Sequence, residues 1–151
     1  MSPLTPLIRP LRAADEADWR RLWTGYLKFY QTSVPEEVYA STFARLLGDD
    51  ARDFNALVAE VDGQLLGLTH YLFHRHAWHI EEVCHLQDLY VDPQARGTGL
   101  GRKLIEAVYA RADAAGAPAV YWLTQDFNHE ARQLYDRIAQ VTPFIRYNRK
   151  T

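Results

Sequence analysis

The spacing of apolar residues switches between two periods along the chain, about 3.6 and 2, and the switches divide it into elements. Residues 7 to 11, Leu-Ile-Arg-Pro-Leu, predict a short strand, with Pro10 setting it at an edge or a strand end. Trp19, Leu22, Trp23, Tyr26, Leu27 and Tyr30 then fall on one helical face, with Asp15, Glu16 and Asp18 suiting its N-terminus. A second helix is predicted from Pro35, through Val38, Thr42, Phe43, Leu46 and Leu47, to a stop at Gly48. Two apolar runs, Phe54 to Val61 and Gln64 to His74, are joined by Asp62-Gly63, a strong hairpin signal. A third run, from about Glu81 to Val91, continues the antiparallel meander.

Beyond Val91 the period returns to that of a helix, with Leu100, Leu104, Ile105, Val108, Tyr109 and Ala112 on one side and a stop at Gly116. Ala119 to Thr124 reads as a buried strand, and the helix before it implies parallel pairing with its predecessor. Asn128 to Ile138 predicts another helix and Pro143 to Asn148 a last strand. The resulting order, β-α-α-β-β-β-α-β-α-β, describes a mixed α/β (α+β) fold in which a mostly antiparallel sheet is flanked by helices.

The turn between Val91 and Leu104 carries the chemistry. Gly97, Gly99 and Gly101 lack Cβ atoms, so the backbone can bend sharply and turn its N–H groups toward a ligand. The helix that follows adds unpaired amides and the positive end of its dipole, and Arg96, Arg102 and Lys103 add formal charge. This is a phosphate cradle. It is not a nucleoside-triphosphate loop, because no glycine is followed by Lys and a hydroxyl residue, nor a G-x-G-x-x-G dinucleotide turn, because the third glycine falls one place early. The motif is R-x-x-G-x-G.

Composition narrows the class further. At 151 residues the chain is expected to form a single domain spanning 1–151 that buries a core without staples. A net charge of −2, with Lys and Arg scattered, argues against a nucleic-acid-binding face. No apolar run approaches the length of a membrane span, and the opening Met-Ser-Pro-Leu-Thr-Pro lacks a leader pattern, so a cytoplasmic location is expected. The single cysteine, Cys84, has no internal disulfide partner and suits the core better than a nucleophilic role.

Arg96 to Gly101 resembles the acetyl-coenzyme A loop of the GNAT superfamily of N-acetyltransferases, and the order of elements matches that fold over nearly the whole chain. A second resemblance follows the strand at Tyr121, where Asn128-x-x-Ala131-x-x-Leu134-Tyr135 is similar to the family's pantetheine-binding motif. The resemblance implies acetyl-CoA as cosubstrate and no metal. It implies that the backbone of Leu89, Tyr90 and Val91 pairs with pantetheine, and that Arg96 and the amides of Gly97, Thr98, Gly99, Leu100, Gly101 and Arg102 hold the pyrophosphate. Asn128 would bond the pantetheine arm and Tyr135 would face the sulfur as a catalytic acid. Each of these two also suits a structural role, Asn128 as a helix N-cap and Tyr135 as a half-buried core tyrosine.

The reaction implied is direct transfer of an acetyl group to an amine. A lysine-like amine, with a pKa near 10.4, must lose a proton, at a cost of about 4 kcal/mol at neutral pH. Tyrosine can assist the leaving thiolate, and the Val91 amide is a plausible donor to the developing oxyanion. For the base, strand alternation sets Glu82 and Asp88 on one face and Glu81 and His85 on the other, unless a bulge shifts the register. Polyamine acetyltransferases, which the chain also resembles here, carry two adjacent carboxylates; Gln87 stands in place of the first, leaving Asp88, or Glu82 through water, as the candidate base.

Tyr26, Tyr30, Trp78 and His79, with Asp88, are read as the walls of an acceptor pocket. His74, His76, His79 and His85 form only a weak metal-binding signal without paired cysteines or helix-spaced ligands. Aromatic residues among scattered acids suit a compact cationic or zwitterionic acceptor such as a polyamine or an amino acid. The rivals are transfer to a protein lysine or N-terminus, and a catalytically silent acyl-CoA-binding module. Phe144, Ile145 and Tyr147 on the final strand suggest the edge of a homodimer.

Overall fold

The apolar runs pair into one five-stranded sheet in the order β1 (Leu7–Pro10), β2 (Asn55–Val61), β3 (Gln64–His74), β4 (Val83–Val91) and β5 (Val120–Tyr121). The computed structural model describes residues 5–151, and most of the opening segment read for a leader lies outside them. Pairing is antiparallel from β1 to β4 and parallel between β4 and β5. The β2–β3 hairpin turns on Asp62 and Gly63, both at positive φ (51° and 80°), the combination that Asp-Gly accommodates and that matches strand twist.

Helices cover both faces. α1 (Glu16–Phe29) and α2 (Glu36–Leu46) lie on one, where Trp19, Leu22, Phe43 and Leu46 pack against Val58, Leu65 and Leu68. α3 (Leu100–Ala114) lies on the other, burying Leu100, Leu104, Ile105, Val108 and Ala112 against Leu57, Ala59, Leu66, Cys84 and Leu86. α4 (His129–Ile138) rests beside α3 through Leu134, Tyr135 and Ile138, none fully buried. α1 is pinned by ion pairs as well as by packing. Arg21 donates to Asp92 and to the Leu65 carbonyl at 2.6 and 2.7 Å, tying the helix to the strand ends beside the glycine turn.

Two sequence expectations need correction. The strand predicted from Ala119 to Thr124 is only two residues long and half exposed, and residues 143 to 148 form no strand. A strand requires a partner. β5 offers only two ladder residues before the chain leaves for α4, and the apolar C-terminal segment does not pair with it. Phe144, Ile145 and Tyr147 are 77–88% exposed.

Candidate active site

The site is made by an irregularity in β4. Opposite β3 the register runs Cys84, His85 and Leu86 against Phe73, Leu72 and Tyr71, then jumps so that Asp88 stands opposite His70. Gln87 is the extra residue of a bulge, which reverses the sidedness of everything after it. Before the bulge Cys84 and Leu86 face α3, and after it Leu89 and Val91 do. Asp88 and Tyr90 therefore turn toward α1. The Asp88 side chain is nearly buried there, its Oδ2 3.0 Å from Nδ1 of His70. Burial, and then the Asp88 charge, push the hydroxyls of Tyr26 and Tyr30 above the ordinary phenol range.

The bulge also sets which amides are free. Asp92 N–H donates to the Leu66 carbonyl, so by antiparallel alternation the Tyr90 backbone pairs with β3 while the N–H and C=O groups of Leu89 and Val91 point to the opposite edge. That edge is open, because β5 pairs with β4 only at Cys84 and His85 and the two strands then part. A cleft lies in the fork, lined by Tyr26, Tyr30, Leu86, Gln87, Leu89, Trp122, Leu123 and Tyr135. Of the three backbones expected to meet pantetheine, those of Leu89 and Val91 point their amides to this open edge and that of Tyr90 does not. The Tyr90 ring instead packs on α1 at Gly25, where a Cβ would lie 2.5 Å from its hydroxyl.

Tyr135 enters the cleft from α4, its ring edge-on to Trp122 at 5.4 Å. Burial, followed by the neighbouring Tyr30, pushes its pKa up to about 12. Its hydroxyl is thus a donor throughout the neutral and mildly alkaline range. Asn128 heads α4, but its side chain makes no cap and donates from Nδ2 to Thr124 Oγ1 at 3.3 Å. Burial raises the Cys84 thiol to about 11, which leaves it protonated and inert.

The fork leads directly into the glycine turn. Gly97 and Gly99 adopt φ of 78° and 83°, with open space where a Cβ would stand, and Gly99 caps α3. Past Gly99 the first amides of α3 have no partner within the helix. Arg96 reaches back over the Tyr90 ring and donates from Nε to the Val91 carbonyl at 3.3 Å. Thr98 donates its hydroxyl to the Ala95 carbonyl, bracing the turn. Arg102 pairs with Glu106 one turn along α3.

A model of the acetyltransferase (GNAT) family matches residues 19–139. The chain belongs to this family. It is 43% identical over 144 residues to a D-amino-acid N-acetyltransferase of Saccharomyces cerevisiae, covering 95% of this chain and 89% of the yeast protein. Its fold superposes on an aminoglycoside N-acetyltransferase in complex with CoA with a TM-score of 0.84, at 18% identity and covering 99% of this chain and 97% of the other. It likewise superposes on a ribosomal-protein-alanine N-acetyltransferase from Brucella melitensis with a TM-score of 0.81, at 23% identity over 97% of this chain and 99% of that one. The chain is accordingly a GNAT acetyltransferase, an N-acetyltransferase enzyme whose mixed α/β sheet is that of the family.

As a GNAT domain it distributes the sequence-selected residues unevenly. Tyr26, Tyr30, Asp88, Leu89 and Tyr135 converge at the fork. Glu82 and Trp78 do not: Glu82 is exposed before β4 begins, roughly 20 Å of strand from Asp88, and Trp78 is 80% exposed in the same β3–β4 loop. The bulge is also why Glu82 and Asp88 do not share a face. His79 lies in that loop and pairs with Glu81. Among the described residues no group of three or more His, Cys, Asp or Glu side chains is placed to hold a metal ion, and no helix is long and apolar enough to cross a membrane. His70 and Trp122, which sequence reasoning passed over, both belong to the site. His70 had a signal, as the one imidazole within the largely apolar run Leu65 to Phe73.

Proposed function

We infer that the enzyme transfers the acetyl group of acetyl-CoA directly to the primary amine of a small, amino-acid-like molecule. The observation that carries this reading is the fork itself: an open strand edge with Tyr135 in the cleft beside it, and on the same strand a buried carboxylate next to Tyr26. Leu89 and Val91 would pair with the pantetheine arm, Asn128 would bond it from α4, and the turn from Arg96 to Arg102 would take the pyrophosphate. Acetyl-CoA, when bound, supplies the thioester carbonyl that the amine attacks. The residues present fit it: left-handed glycines with open space around them and outward-facing amides suit a long, anionic, hydrogen-bonding ligand.

Asp88 draws the cationic acceptor to the strand end; once the ammonium has given up one proton to solvent the neutral amine attacks the carbonyl, and Asp88 takes the second proton as the C–N bond forms, when that nitrogen becomes far more acidic. The Val91 amide, turned to the open edge, donates to the carbonyl oxygen. Tyr135 hydrogen-bonds the departing sulfur. Outright proton transfer from a group near 12 to a thiolate near 8.5 is uphill by about 3.5 units, on the order of 5 kcal/mol. Tyr135 therefore stabilises charge on sulfur rather than quenching it. Tyr26 and Tyr30 narrow the acceptor side, which favours a compact amine over a folded protein surface, and the similarity to a D-amino-acid N-acetyltransferase supports an amino-acid acceptor.

The test is CoA release from acetyl-CoA against a panel of D- and L-amino acids, polyamines and lysine peptides. A free amino acid is expected to give the highest kcat/KM, and Asp88→Asn to lower it at least 100-fold with acetyl-CoA affinity kept. Preferred turnover of peptides would overturn the small-amine reading. The exposed Phe144, Ile145 and Tyr147 further support a homodimer that covers them, checked by light scattering on the native chain and on Ile145→Asp.

A further inference from the structure

Behind Asp88 runs a buried chain of hydrogen bonds contributed by three elements. Trp19 of α1 donates its indole N–H to Nε2 of His70 on β3 at 3.1 Å, and Nδ1 of His70 lies 3.0 Å from Oδ2 of Asp88 on β4. The three residues are 0%, 2% and 7% exposed, so their protons are fixed chiefly by one another. The indole is a donor only. The His70 nitrogen it meets must therefore carry a lone pair, and a neutral imidazole with Nε2 bare has its proton on Nδ1. That N–H points at the carboxylate. A doubly protonated ring would have to give up the Trp19 bond, and Trp19 and Trp23 pack against His70 at ring distances of 6.1 and 5.1 Å, leaving it no other orientation.

We propose that Trp19 and His70 are positioning residues for acetyl transfer: the indole fixes His70 as its Nδ1–H tautomer, and that N–H holds Oδ2 of Asp88 so that the other oxygen faces the acceptor amine. This rests on Asp88 as the proton acceptor. Asp88 stands opposite His70 in the β3–β4 ladder, so the imidazole is the ladder neighbour that restrains the carboxylate's χ angles, with Tyr26 beside it from α1. The tautomer matters as much as the bond. With the proton on Nε2 instead, the lone pair of Nδ1 would face Asp88, and the carboxylate would be repelled from its place or forced to keep a proton it must be able to accept. Helix α1 thereby reports on the site through one hydrogen bond, since any displacement of Trp19 frees the His70 tautomer.

The first measurement is the long-range proton–nitrogen spectrum of the native protein labelled in its histidines, at pH 7. His70 is expected to show a protonated Nδ1 and a bare Nε2; a protonated Nε2 or a doubly protonated ring overturns the proposal, whatever the variants do. The second is kinetic. His70→Leu is expected to lower kcat about 10- to 100-fold, the range for a lost hydrogen bond to a charged group, with the KM for acetyl-CoA unchanged. His70→Asn, whose amide N–H stands near the place of Nδ1, is expected to recover most of kcat although it melts earlier for want of a Trp19 acceptor. A purely structural histidine would not give that separation. If Asp88→Asn is inactive while folded His70→Leu keeps native kcat, the positioning role fails and the base survives; if Asp88→Asn is as active as the native enzyme, the base itself is wrong.

Discussion

Replacing Tyr135 by Phe removes one hydroxyl and almost nothing else. The ring keeps its edge-on contact with Trp122 and its packing beside Leu134 and Ile138, so the fold and acetyl-CoA affinity are expected to hold. What disappears is a donor to the developing thiolate. A hydrogen bond to a charged group is worth about 1.5–3 kcal/mol, which corresponds to roughly a 10- to 150-fold loss in kcat. The pH dependence makes the prediction sharper. Tyr135, pushed up to about 12 by burial, keeps its proton as pH rises, so the native enzyme should show no alkaline loss of kcat assignable to this residue below about pH 11. The assay is steady-state CoA release from pH 6.5 to 10.5 for the native enzyme and the variant, with acetyl-CoA binding measured separately. The profiles should be parallel, displaced by one constant factor. An alkaline limb near pH 10 in the native enzyme that vanishes in Tyr135→Phe would refute the reasoning, because it would mean the hydroxyl ionises as an ordinary solvated phenol does.

Three further outcomes follow from the geometry. Asp15 accepts two hydrogen bonds from the buried Arg9 at 2.8 and 2.9 Å, and these hold its carboxyl below the usual range. A lowered folded-state pKa gives stability that is present above the unfolded value and lost as pH falls through the folded one, so Asp15→Asn should cost about 2–4 kcal/mol in urea melts at pH 7 and progressively less below about pH 4. Gly99→Ala places a side chain at φ 83° and should cost about 1–2 kcal/mol, whereas Gly101→Ala, inside α3, meets only ordinary 3.7 Å contacts with Leu134 and Val91 and should raise stability by up to about 1 kcal/mol; thermal melts separate them. Cys84, with its thiol raised to about 11, should react with a disulfide reagent only as the protein unfolds, and Cys84→Ala should keep kcat within a few-fold. Rapid inactivation of the native enzyme by the reagent would contradict this.

The β2–β3 hairpin and the glycine turn were legible because each rests on local chemistry. Asp62-Gly63 could turn only as a tight hairpin, and the glycines after Arg96 could serve only a backbone that bends and stays bare. The C-terminal strand was misread because alternation in Pro143 to Asn148 states a capacity to pair, while the fold decides whether that capacity is used. The acceptor side was least legible. Its defining feature, the bulge at Gln87, is nonetheless written in the sequence as a change of phase: the apolar α3-facing positions are even at Cys84 and Leu86 and odd at Leu89 and Val91. Two adjacent polar residues, Gln87 and Asp88, stand where the phase changes. A strand cannot keep both sets on one face without an extra residue between them. That extra residue turns Asp88 from the α3 side to the α1 side, where His70, Tyr26 and Tyr30 await it. The same step leaves the Leu89 and Val91 amides facing the open edge. One inserted residue thus aims the carboxylate and selects the amides that face the open edge, so deleting Gln87 should abolish activity even if the shortened chain folds.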